Sequence, residues 1–476
     1  MSKDKDYWLD QPNTGAATKR KRKPDLPEGM IQAANLDPCE AVRDYLDTLK
    51  TPEGMLSLRI WRGGWLAWKN GHWRDLDRAE VRAMLIRYLN DFACGLTTGH
   101  VANLMAQLEA QAMLSGRIEQ PSWIGGTNRW PAHEMLATCD KLIHLPSYVA
   151  GATDYSKPAT PFFFSPTALE FKFNPKAGQA TSWLAMLAQA WPDDPQSIEE
   201  LQKWFGYCLV LDTRQQKICM LVGPKRSGKG TVARVLRALV GMLNCAGPTL
   251  ASLATNFGLW PLLNKSLAII SDARLSGRTD SAIVVERLLS ISGEDALTID
   301  RKNMAPVTGK LTARLMLLSN ELPRLGDSSG ALASRMLLLV MRNSWYGQED
   351  HGLTDRLLAE LPAILLWAIE GWAKLQRDGR FIQPESAREL LSDLEDLTSP
   401  IGEFIRERCH VGPDTKIARR ELYEAYKQWC NQSGKQHVED QAGFGRNLRA
   451  AIPSLTSSYP RTDYGREYFY EGITTV

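Results

Sequence analysis

Residues 221–232 read LVGPKRSGKGTV, a glycine-rich stretch that closes on Gly228-Lys229. Glycines let backbone N–H groups approach phosphate oxygens closely, and a lysine at a helix start adds a positional charge. Gly223, Pro224, Lys225, Arg226, Ser227, Gly228 and Lys229 fill a G-x-x-x-x-G-K phosphate loop. The hydroxyl residue that normally comes next and takes Mg²⁺ is missing. Gly230 stands in its place, and Thr231 follows one position late. Thr231 is therefore the candidate metal hydroxyl, reaching Mg²⁺ directly or through water. The chemistry expected of this loop is binding of ATP with Mg²⁺.

Three further polar residues border apolar runs. Asp272 comes just after Leu267–Ile270, where its carboxylate could hold Mg²⁺ through water. Asn320 follows LMLLS. It could sense a γ-phosphate or position water, or serve as a turn asparagine ahead of a proline. Arg335 precedes MLLLV. Its planar fork suits an arginine finger acting on a neighbouring subunit's nucleotide, and equally an ordinary surface ion pair. No second acid stands beside Asp272, whose neighbours are Ser271, Ala273 and Arg274. The water-activating base is unassigned, with Glu286 a candidate through closeness in sequence.

These residues need elements to hold them. KICMLVG reads as a buried strand, and GTVARVLRALVG as a helix with Val232, Val235, Leu236, Leu239 and Val240 on one face. Strand-like and helical runs alternate from 216 to about 345 and 346–395 read as mainly helical, which predicts an α/β ATPase domain over 216–395 around a largely parallel sheet. Residues 1–35, with KRKRK at 19–23, read as a disordered basic tail, solvated or loosely drawn to DNA backbone. Residues 36–135 read as an N-terminal α+β domain, with a hairpin at Asn70-Gly71 and a helix capped by Asp77 and Glu80. Its tryptophans could pack a core or stack bases. Residues 136–215 read as a helical collar. Residues 396–476 predict two helices and a hairpin turning near Asp463–Gly465, a winged-helix-like domain with Arg446 and Arg449 on the helix offered to DNA. Dimerisation or protein docking is the alternative use of that domain.

Bulk properties agree with a soluble multidomain protein. The 476 residues suggest about three domains at roughly 150 residues each. A net charge of +3 gives no overall drive toward nucleic acid, so any basic surface must be local. The eight cysteines form no C-x-x-C pair, which argues against a zinc ribbon and a disulfide scaffold and fits a reducing cytoplasm. The N-terminus has no signal peptide, and no apolar run approaches the ~20 residues of a membrane span.

Taken in order, GPKRSGKGT, IISDARLSG, ISGEDALTIDRK and LLSNELPRLGDSSGALASR resemble the C-terminal helicase part of phage and plasmid primase–helicases. These are superfamily 3 helicases with an AAA+ type core. The resemblance is strong over 200–375 and looser over 40–200. It implies a ring, usually a homo-hexamer, that hydrolyses ATP between subunits and moves 3′ to 5′ on single-stranded and forked DNA. It carries the Mg²⁺ acid onto Asp272, the sensor onto Asn320 and the finger onto Arg335. It also makes residues 293–310 a channel hairpin that meets DNA phosphates through Arg301, Lys302 and Lys310. From the residues alone that segment is a short strand, a basic turn and a glycine-containing return. Relatives often carry a primase. Here the D-x-D at Asp75 to Asp77 sits at a helix cap, so no primer synthesis is expected, and a separate primase or replication initiator is a possible partner. An AAA+ initiator or loader that does not unwind, a small-molecule kinase (GKGT occurs in nucleoside monophosphate kinases) and a binding protein with a degenerate loop are the competing readings.

Overall fold

A computed structural model describes residues 30–125, 128–274, 280–323, 325, 330–398, 400–433, 438–462 and 465–476. The basic run at 19–23 and the hairpin tip at 463–464 lie outside the described residues. The chain divides into two compact units, one from residues up to 48 with 77–112, the other from 49–76 with 113–476. The 36–135 segment read as one domain from sequence is thus shared between them.

The first unit holds helices α1 (Pro38–Thr48), α2 (Arg78–Asn90) and α3 (Thr98–Gln111). Asp77 and Glu80 make a reciprocal capping box that starts α2. Val81, Leu85 and Leu89 are then buried at helical spacing. Asp77 is a cap, as its sequence context indicated.

The second unit opens with an antiparallel meander, β1 (Leu58–Trp61), β2 (Gly64–Lys69) and β3 (His72–Leu76). Asn70 and Gly71 turn β2 into β3 with φ of 51° and 86°, as a two-residue hairpin requires. Arg62 and Gly63 turn β1 into β2 in the same way, with φ of 49° and 76°. Trp61, Trp65 and Trp73 are buried, so for these three core packing prevails over a base-stacking platform.

The centre is a parallel sheet of five strands, in the order β5 (Cys245–Ala246), β6 (Leu267–Ile270), β9 (Arg314–Ser319), β4 (Ile218–Val222), β10 (Met336–Val340). Between β6 and β9 the chain forms α7 (Ser281–Ser292) and the antiparallel hairpin β7 (Leu297–Arg301) with β8 (Met304–Gly309). β4 is buried along its whole length. Cys219 and Leu221 point into one core, and Met220 and Val222 into the other. Burial on both faces explains why the strand reads as an unbroken apolar run. Helices α4 (Thr181–Ala190), α5 (Pro195–Tyr207), α6 (Lys229–Val240), α9 (Leu353–Ala359) and α10 (Leu361–Asp378) cover the first face, and α7 covers the second.

The α5–α10 crossing is the tightest helix contact beside this sheet. A Cβ on Gly371 would lie 2.0 Å from the Gln202 carbonyl oxygen, and one on Gly206 would lie 2.2 Å from the Trp372 nitrogen. Beside the crossing, Lys203 is buried between Glu200 at 2.6 Å and Asp378 at 2.8 Å. Because the clash is backbone against backbone, no rotamer change relieves it. We expect Gly371→Ala to destabilise the chain by ~3 kcal/mol, at the upper end of overpacking changes. Gly247→Ala, which meets nothing within 4 Å, serves as the control. Urea midpoints read by circular dichroism compare the two.

The C-terminal part comprises α11 (Pro400–Arg408), β11 (Cys409–Ala418), α12 (Arg419–Gln432), α13 (Gln441–Ala451), β12 (Thr456–Ser458) and β13 (Phe469–Thr475). The strands form a sheet ordered β11-β13-β12. Phe404, Leu422, Tyr426, Trp429, Phe444 and Leu448 fill the core between helices and sheet. The two predicted helices are α12 and α13, while α11 and β11 were not foreseen.

Candidate nucleotide and nucleic-acid sites

The phosphate loop runs from the end of β4 into α6. Gly228 caps the helix with φ of 95°, a left-handed conformation natural to glycine. Gly223 is required for space, since a Cβ there would lie 2.2 Å from the Met341 carbonyl oxygen. The Lys229 ammonium is turned onto its own loop. It donates to the carbonyls of Gly223 at 2.6 Å and Pro224 at 2.7 Å, and to Ser227 Oγ at 3.0 Å. Lys229 is 8% exposed, and burial lowers its pKa. Neutral acceptors are weak partners for a buried ammonium, so a phosphate oxygen would replace them with a stronger charge-assisted bond. The outer side of the loop is strapped to the segment after β10. Ser344 Oγ donates to the Lys225 carbonyl at 2.8 Å, and the Trp345 N–H to the Arg226 carbonyl at 3.1 Å. Arg226 also pairs with Glu349 at 3.3 Å. The donor set and the close backbone fit a nucleotide polyphosphate.

Strand order places the other candidates. β9 lies between β4 and β6, so Asn320 follows the strand that separates the loop from Asp272. The Gly223 N–H donates to the Ser319 carbonyl at 3.2 Å, and the Ala273 N–H to the Leu318 carbonyl at 3.1 Å. These bonds bring the loop, Asn320 and Asp272 to one edge of the sheet. Asn320 is exposed there. Asp272 is gripped by Arg274 Nε at 2.8 Å and Nη2 at 2.6 Å, and the hydrogen bonds from Arg274 hold its carboxyl below the usual range. Exposed pairs of this kind contribute only about 0–1 kcal/mol, so a cation can compete for the carboxylate.

Thr231 is engaged within its own helix. Its Oγ1 accepts from Arg234 Nη2 at 3.0 Å, and both residues line a cavity on the outer side of the loop. A hydroxyl beside a guanidinium suits an anion better than a cation. We expect Thr231→Ala to weaken ATP binding ~10-fold, through loss of one bond to a charged group, while the Mg²⁺ dependence at saturating ATP stays unchanged. A shifted Mg²⁺ midpoint would instead restore Thr231 as the metal hydroxyl.

Arg335 ends the short helix α8 (Ala331–Arg335) just before β10. Met336 pairs with Ile218 and Val340 with Val222, so Arg335 stands one strand length, roughly 16 Å, from its own phosphate loop. Its guanidinium donates to the Leu289 carbonyl and, at 3.0 Å, to Ser292 Oγ at the C-terminal end of α7. Glu286 is exposed on the same helix, and among the described residues no hydrogen bond or ion pair joins it to the loop.

The predicted hairpin exists, with Lys302 and Asn303 at its turn. Of its three cations, Lys302 is exposed. Arg301 is engaged: it donates to the Ala305 carbonyl at 2.7 Å and, across to the β1–β2 turn, to the Arg62 carbonyl at 2.9 Å. Lys310 is paired with Glu294 at 2.7 Å. Charge alone marked all three as alike, while one acceptor of Arg301, the Arg62 carbonyl, comes from distant sequence and Glu294, which holds Lys310, stands at the start of the same segment. In the C-terminal part, Arg446 and Arg449 are exposed on α13, with Arg449 donating to the Gly445 carbonyl at 3.2 Å.

Residues 221–335 match a family of unknown function (DUF5906), and residues 399–476 match the RFX DNA-binding domain. The chain is similar to the apo structure of the C-terminal region of NrS-1, with a TM-score of 0.53 at 14% identity over 92% of this chain and 99% of that one. The A form apo structure of the same region gives a TM-score of 0.49 at 13% identity, over 92% and 100%. At such identity the likeness is one of fold. The chain is thus a mixed α/β multidomain protein with the fold of the NrS-1 C-terminal region, and its C-terminal segment resembles a DNA-binding domain.

Proposed function

We propose that the chain is an ATP-hydrolysing DNA helicase of phage or plasmid replication, with an AAA+ type core that works as a ring on single-stranded and forked DNA in the cytoplasm of a bacterial host. One observation carries this reading. The phosphate loop, Asn320 and Asp272 follow three neighbouring parallel strands at the same sheet edge, where open α/β sheets receive their ligands. Lys229 and the loop N–H groups would hold the phosphates of ATP, and Asp272, released from Arg274, would hold Mg²⁺ through water. Bound ATP supplies the phosphoryl group that passes to water. The distance of Arg335, at the far end of β10, from its own loop supports a role on a neighbouring subunit's nucleotide. The match of 399–476 to a DNA-binding domain, the exposed Arg446 and Arg449, and Lys302 at the hairpin turn supply the nucleic-acid side.

A second reading, an initiator or loader that binds DNA without unwinding, draws on the lack of an acid beside Asp272. ATPase rates with and without single-stranded DNA, together with strand separation on a fluorescent fork, decide between them. DNA-stimulated hydrolysis with ATP-dependent separation is the helicase outcome. Hydrolysis with DNA binding but no separation by an assembled ring is the loader outcome. Hydrolysis stimulated by nucleoside monophosphates and indifferent to DNA would return the kinase reading.

A further inference from the structure

Beside the phosphate loop lies a cavity of about 560 Å³. That size falls within the ~300–1,000 Å³ of small-molecule sites. It is bounded by the loop and the start of α6, by α4, and by the segment that follows β10. Its lining has two characters. Trp345, Met186 and Leu353 give an apolar wall, while Gln189 and Gln348 offer side-chain amides. Trp345 is half-buried, and its ring edge stands 3.7 Å from where a Gly228 Cβ would be, so the wall begins at the loop itself.

The charges around the cavity are unevenly satisfied. Glu349 is paired with Arg226 at 3.3 Å, and Asp350 with Arg356. Among the described residues, Arg234 has a hydrogen bond to the neutral Thr231 hydroxyl and no carboxylate partner. One cation is therefore left to meet an anionic group, at the point where the cavity joins the loop. A flat apolar wall, amides suited to a heterocycle's edge, and a cation at the loop end together describe a nucleotide lying with its phosphates inward.

We propose that this cavity receives the base and ribose of a purine nucleoside triphosphate, with Trp345 as its stacking wall and Arg234 meeting the phosphate nearest the ribose. The assignment rests on the nucleotide-binding reading of the loop and adds the residues that select the nucleoside. Stacking of a base on an aromatic side chain is sequence-tolerant but needs the ring face, so the larger purine gains more from it than a pyrimidine.

The test is calorimetric titration of the full chain with ATP, with CTP and with inorganic tripolyphosphate, which lacks a nucleoside. Trp345→Ala is expected to weaken ATP ~10-fold or more, to reduce the preference for ATP over CTP, and to leave tripolyphosphate binding unchanged. Trp345→Phe keeps a ring face and is expected to stay near wild type, which also guards against a folding defect. Arg234→Ala should weaken both ATP and tripolyphosphate. Equal losses of ATP and tripolyphosphate in Trp345→Ala would overturn the assignment, because the tryptophan would then act by packing Gly228. Unchanged ATP binding in that variant, or a Trp345→Phe as weak as Trp345→Ala, would overturn it too. Wild-type protein that binds neither ATP nor tripolyphosphate would instead refute the nucleotide reading itself.

Discussion

Lys229→Ala is expected to abolish ATP turnover, with a loss of at least 10²–10³-fold, the scale set by removing one preorganised donor to developing charge. The lysine is well prepared for that role. Its ammonium is buried, and its partners are two carbonyls and a hydroxyl of its own loop. None of them carries charge, so the cation is held in place without being neutralised. Phosphate is the partner that a desolvated ammonium at a helix N-terminus favours most. The same burial gives the substitution a second consequence. Alanine leaves the Gly223 and Pro224 carbonyls without their donor, which would disfavour the loop conformation by about 1–3 kcal/mol. Loss of turnover with an unfolding midpoint only slightly lowered would show that the lysine acts on ATP. A rate that survives the substitution would remove the loop from the catalytic account.

The parts of this fold legible in sequence are those set by local rules. Four of the five central strands, β4, β6, β9 and β10, are short and buried on both faces, so each reads as an apolar run whatever surrounds it, while the two-residue edge strand β5, with Cys245 half-buried, gives no such run. β6 falls on the predicted Leu267–Ile270, and α6 carries its apolar residues at the predicted spacing. What escaped reading depends on distant chain or on unusual backbone. The Arg62-Gly63 turn uses an arginine at positive φ, so the Gly63-Gly64 pair marks a turn without showing that its first left-handed residue is the arginine. β11 contains Gly412-Pro413, a pair that reads as a turn; the strand accommodates it through a register shift between Val411 and Lys416. The N-terminal boundary was missed because residues 49–76 pair with the chain past 113, leaving the helices between them to a separate unit. The site follows the same division. Loop, acid and asparagine were visible as strand ends, but the captured state of Arg301 and Lys310 was not. Trp345 was also silent, since NSWYGQEDHG has no periodicity and gains meaning only when β10 lays it against the loop.

Arg335→Ala is expected to retain ATP binding and lose hydrolysis by ~10³-fold or more, the effect of removing an arginine finger. The geometry sharpens what that result would mean. In one chain, the guanidinium caps the C-terminal end of α7 through Leu289 and Ser292, a favourable place for a cation. That cap contributes about 1 kcal/mol to stability, and its loss could not by itself lower turnover a thousandfold. A finger, in contrast, must leave α7 to reach a neighbouring chain's nucleotide, since its own loop lies a strand length away. Release would also disturb the root of the β7–β8 hairpin: a Cβ on Gly293 would stand 2.7 Å from Arg335 Nη1, and Glu294 next to it holds Lys310. Arg335 and the base of the hairpin therefore share one joint, which, were Arg335 a finger, would couple hydrolysis to hairpin position without a long relay. Arg335→Lys separates the two duties, because an ammonium can cap a helix but lacks the planar fork. It should recover the unfolding midpoint and leave hydrolysis impaired. Mixing Arg335→Ala with Lys229→Ala completes the test. Each supplies what the other lacks across an interface, so mixed assemblies should regain part of the activity that neither shows alone, and mixtures that stay inactive would confine Arg335 to its structural cap.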